Sequence, residues 1–171
     1  MTILTSPSYV AKADGGFDML RALRSPVYVV WAAVDNNDAN SLDAINQKMS
    51  AIDANRRRIS VLLDNRNQML AQIQTKMDFY SQTRAALPPE KINAFANFMS
   101  YSADAWPQIK SSLNEIGEPG NFSGVSGEIM SDDTDYEYIS VELSDMLAAQ
   151  ESVTGKLNAY IGKGNELLEI L

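Results

Sequence analysis

Between Leu42 and Tyr80, apolar side chains recur in alternating three- and four-residue steps. With Leu42 at position a of a heptad, the a and d places hold Leu42, Ile45, Met49, Ile52, Arg56, Ile59, Leu63, Arg66, Leu70, Ile73, Met77 and Tyr80. Only Arg56 and Arg66 interrupt the stripe. The stretch holds neither Gly nor Pro, so the backbone can run as one helix of about 58 Å. A stripe confined to a and d is the seam of a coiled-coil strand rather than the broader face of a globular helix. Such a helix needs a partner.

The C-terminal part of the chain offers one. With Tyr136 at a, the seam is Tyr136, Ile139, Leu143, Met146, Gln150, Val153, Leu157, Tyr160, Gly164, Leu167 and Leu171, broken only by Gln150 and Gly164. Gly155, Gly162 and Gly164 each weaken an isolated helix by roughly 1 kcal/mol relative to Ala, so this helix depends on packing. The matched lengths predict an all-α fold: a long antiparallel helical hairpin, or coiled coil, with a small helical and loop insertion between the arms. The arms cover about 27–86 and 134–171, the insertion 87–133 caps one end, and the termini meet at the other. Residues 1–16 read as a flexible tail, and 17–171 as a single domain.

Ahead of the first seam, Val27 to Val34 (VYVVWAAV) is apolar on every side, with Ser25 as N-cap and Pro26 at the first helical position. A helix of that kind is buried all round. It is either a turn of the core or an intersubunit contact made by Val27, Tyr28, Val30, Trp31 and Val34. The polar step 35–38 either breaks the helix or continues it.

Within the insertion, Pro88-Pro89-Glu90 opens a short helix with Ile92, Phe95 and Met99 on one face. Trp106-Pro107 marks a boundary. A second short helix with Ile109, Leu113 and Ile116 follows and ends at Gly117. The glycines from Gly117 to Gly127 make the next stretch a loop.

Of the 171 residues none is Cys or His, and the net charge is −8. Disulfides, thiol nucleophiles, imidazole catalysis and the common zinc sites are thereby excluded. The acidic balance argues against nucleic acid as a partner. The longest apolar run is too short to span a bilayer, so no stable membrane insertion is expected. Asp132, Asp133, Asp135 and Glu137 lack the glycine and final glutamate of a calcium loop and read as acids at a helix start. Asn121-Phe122-Ser123 matches a glycosylation sequon, relevant only to a eukaryotic secretory chain. No cofactor, metal site or catalytic residue is expected, and the chain reads as a non-enzyme.

Arg56 and Arg66 leave two readings. They snorkel at the seam edge or pair with Asp53 and Asp64; or they form polar layers, with Gln150 on the other arm, that fix register. The run Arg56-Arg57-Arg58 could also face a neighbour or a channel lumen.

The order of these features resembles the EspA/SseB-type filament and needle-tip proteins of bacterial type III secretion systems. An apolar block (27–34) leads into a long helix (42–80), the step Leu-Pro-Pro-Glu-Lys-Ile (87–92) follows, and a variable insertion precedes a C-terminal heptad helix. The resemblance implies a secreted virulence protein at the bacterial surface, polymerising into a conduit that extends the secretion needle. Its implied partners are further copies of itself, the needle and translocon proteins, and a dedicated cytosolic chaperone. The N-terminal tail would be an uncleaved export signal. From the residues alone, an intracellular coiled-coil adaptor or secretion chaperone is the alternative.

Overall fold

The computed structural model describes residues 39–83, 86–117 and 136–171. They form three helices, α1 (Ala39–Thr83), α2 (Pro89–Gly117) and α3 (Tyr136–Ile170), and among the described residues there is no strand. The tail 1–16, the apolar block 27–34, the step 35–38, the sequon and the acids 132–135 lie outside the described residues.

α1 is 45 residues long, about 67 Å, and it runs unbroken through the whole stripe. α2 begins where Pro88 supplies its carbonyl to the amides of Lys91 and Ile92 at 3.0 and 3.1 Å, with Pro89 at the first helical position, where a missing N–H costs nothing. α3, at 35 residues, carries the second seam.

The all-α class and the folding of two long arms about an inserted helical segment are present. The direction of the arms is not the expected one. Lys48 reaches Ser140 and Ser144, 92 and 96 residues onward, Lys76 reaches Leu168, 92 onward, and Tyr80 reaches Leu171, 91 onward. A constant offset means that α1 and α3 run parallel. The cause lies in the insertion. α2 is a 29-residue helix, about 43 Å long, and it carries the chain back along the rod instead of capping it. Lys91 meets Leu171, and Ser112 meets Lys156, so α2 is antiparallel to α3. Ala39 and Leu171 therefore lie at opposite ends.

The heptads align in register in this parallel pair, with Ile45 beside Ile139, Ile52 beside Met146, Ile59 beside Val153, Leu63 beside Leu157 and Ile73 beside Leu167. All ten are buried. The core has two parts. Ile45, Ile52, Ile139, Leu143 and Met146 form a two-helix section. Farther along, Phe98, Ile109, Leu113 and Ile116 of α2 join α1 and α3 in one three-helix cluster.

Two expectations for the insertion are corrected. Trp106-Pro107 does not end a helix, because Pro107 lies inside α2. Proline costs about 3 kcal/mol in a helix interior, but Phe98 on one side and Ile109, Leu113 and Ile116 on the other continue a single buried face. Burial of that face holds the helix through the proline. The face itself is also displaced from the one expected: Phe98 is buried, whereas Ile92 is exposed and Phe95 and Met99 are only half-buried.

Candidate functional site

One interruption of each seam falls at the same level. Arg56 and Gln150 fall in the same a layer, one step beyond Ile52 and Met146. Gln150 is fully buried, and neither its amide nitrogen nor its oxygen makes a hydrogen bond among the described residues; its main-chain carbonyl accepts from the Thr154 hydroxyl at 2.9 Å. Burial lowers the Arg56 pKa and the charge of Asp53 offsets part of that. Asp53 also pairs with exposed Arg57 at 3.5 Å.

Ten residues on, Arg66 shares a d layer with Tyr160, and here α2 completes the arrangement. The Arg66 guanidinium carbon lies 3.5 Å from the Trp106 ring centroid and 5.8 Å from that of Tyr160. Its Nη1 donates to the Asn67 side-chain oxygen at 3.0 Å. Burial lowers its pKa, with Tyr160 acting in the opposite sense. The Tyr160 ring packs against Phe98, Tyr101 and Trp106 at centroid distances of 5.8, 6.0 and 5.7 Å. Its hydroxyl sits 2.5 Å from that of Ser102. One cation, four aromatic rings and a hydroxyl pair thus fasten all three helices at a single level. The cluster has no nucleophile with an adjacent base. Its chemistry is cohesion.

Lysines secure both ends of the rod. Lys48 donates to the Ser140 carbonyl and the Ser144 hydroxyl, each at 2.8 Å. At the far end, Lys76 donates to the Leu168 carbonyl at 2.8 Å and Lys91 to the Leu171 main-chain oxygen at 2.7 Å. The last turn of α3 has no basic residue of its own, so α1 and α2 provide the positive charge that a helix C-terminus favours.

Comparison with known proteins gives no match: no family model, no curated protein and no solved structure is similar to the chain.

Among the described residues, Ile45, Ile52, Ile59, Leu63, Ile73, Ile139, Leu143, Met146, Val153, Leu157 and Leu167 are buried, and Met49, Leu70 and Met77 are half-buried. They pack within one protomer. Gln150 is likewise enclosed and faces no lumen, whereas Arg57 and Arg58 are exposed. Arg66 stacks on Trp106 rather than pairing with Asp64. Trp106, expected only as part of a boundary, supports the joint, and Tyr101, Ser102 and Met69, which carried no expectation, support the joint or the seam. Exposed apolar side chains are Val61, Phe79, Tyr138, Val141 and Ile170, which carried no expectation, and Ile92, which was expected on the apolar face of a short helix. In the described residues no group of metal-ligating side chains occurs, and no helix is long and apolar enough to cross a membrane.

Proposed function

We propose that the chain is a structural subunit of an extracellular filament or needle-tip conduit for type III secretion, and that it assembles through the outsides of its long helices. The observation that carries this reading is a rod of about 67 Å whose seam is closed within one chain while Val61, Phe79, Ile92, Tyr138, Val141 and Ile170 stay outside it. Large apolar side chains spread along and at the tip of a rod suit contacts with further copies. The assignment to type III secretion rests on the likeness of residues 27–92 and 136–171 to the pattern described above. On this reading a chaperone holds the chain before export, and the N-terminal tail addresses it to the needle.

Export tests the reading. The protein should reach the culture supernatant, or sheared surface appendages, only in cells with a working secretion apparatus. Retention in the cytosol of such cells would contradict it. The intracellular adaptor is the second reading, and the self-contained seam favours it because a single chain already has a complete core. It requires a small defined oligomer and no export.

A further inference from the structure

α2 accompanies the other two helices along only part of the rod. Ser112 meets Lys156, so the end of α2 at Gly117 falls level with about residue 151 of α3. From Tyr136 to Gln150, about 22 Å, the described core is made by α1 and α3 alone. Here α3 carries an apolar strip on its outside. Tyr138 is 45% and Val141 53% exposed, and Ala148, two turns beyond Val141, is exposed as well. With exposed Asp145 between them, these positions follow the three- and four-residue steps of one helix face.

The strip is set among acids. Glu137, Glu142 and Asp145 stand on it or beside it, and α3 has no base before Lys156. None of the three makes an ion pair among the described residues. The lysine that α1 offers in this section, Lys48, is held by Ser140 and Ser144, and Arg57 pairs with Asp53.

The chain supplies an occupant of matching length and charge. Residues 17–34 (FDMLRALRSPVYVVWAAV) stand just ahead of α1. The five residue steps from Val34 to Ala39 reach at most about 18 Å, which keeps Val34 at this end of the rod. As a helix, the 18 residues cover about 27 Å, comparable with the section that α2 leaves. Phe17, Leu20, Arg21 and Arg24 follow the i, i+3, i+4, i+7 spacing of one face, which is both apolar and basic. The block 27–34 adds apolar surface that needs cover.

We infer that residues 17–34 of the same chain dock on the outer face of α3 between Tyr138 and Ala148, antiparallel to it, with 35–38 as the turn. That direction sets Val27 beside Val141 and Arg24 beside Asp145. The short tether gives the segment an effective concentration in the millimolar range at this face. The contact needs no second copy, so it stands apart from the proposed self-assembly and leaves Val61, Phe79, Ile92 and Ile170 to it.

The chain lacks cysteine, so a reactive pair can be introduced alone. Treated with a short bis-maleimide at low micromolar concentration, V27C/V141C should give a cross-linked product of monomer mass, at a rate independent of protein concentration. R21E/R24E in that background should lower the yield about tenfold, and adding E142R/D145R should restore it, with helicity by circular dichroism unchanged. A product found mainly as dimers, forming faster at higher concentration, would place the segment on a second copy and overturn the inference. So would the absence of a monomer-mass link in protein of normal helicity, or a yield indifferent to the charge reversals.

Discussion

The Met69 thioether occupies the space that a side chain on Gly164 would need: a Cβ there would stand 2.0 Å from Sδ and 2.6 Å from Cε. Met69 is itself 3% exposed, so its displacement disturbs packed neighbours. Gly164 also shares its layer with Leu70, and the missing side chain lets the seam accommodate both residues of α1. G164A should therefore destabilise the protein by about 1–3 kcal/mol despite the better helix propensity of alanine. G155A and G162A, with open space, should each stabilise it by about 1 kcal/mol. Urea denaturation of the three variants measures the contrast, and equal effects would show that Met69 does not fill the site.

Gln150 carries a buried amide with no hydrogen-bond partner among the described residues. Leaving such a group unsatisfied costs about 1–3 kcal/mol. Q150L removes the polar atoms at similar volume and should raise stability by that amount, read as a higher urea midpoint at unchanged slope. A lower midpoint would mean that the amide is satisfied in solution.

Arg66 and Trp106 should be energetically coupled, with a double-mutant cycle over R66A and W106A giving about 0.5–2 kcal/mol. Additive losses would reduce the stacking to mere proximity. R66K should recover only part of the loss, since an ammonium lacks the flat guanidinium that lies on the indole.

I73D and V61D should behave oppositely. Ile73 is buried in the three-helix cluster, and an unpaired carboxylate there costs several kcal/mol, enough to lose helicity by circular dichroism and assembly with it. V61D lies on the outer face and should keep full helicity while losing assembly.

Much of the fold was legible in the seams. A heptad stripe free of Gly and Pro admits one long helix, and α1 follows it. The direction of pairing was read wrongly because the insertion was divided at Pro107. Two short helices can cap a hairpin, whereas one helix of 29 residues carries the chain back along the rod. A signal against the antiparallel arrangement was nevertheless present. Arg56 and Leu70 stand as far apart in one seam as Gln150 and Gly164 do in the other, so parallel pairing matches exception to exception and bulk to gap. The joint around Tyr160 was less accessible, because Ser102 and Trp106 follow no heptad and gain meaning only when α2 is laid against α1 and α3. The exposed apolar side chains were less accessible for the opposite reason: with the seam taken as the assembly surface, Val61 carried no signal of its own.

Negative-stain electron microscopy of the purified, concentrated protein tests the central claim most directly. A subunit that has closed its own seam and keeps large apolar side chains outside it should form filaments of uniform width. A monodisperse monomer at high concentration and low salt, with no filament on the grid, would contradict the account.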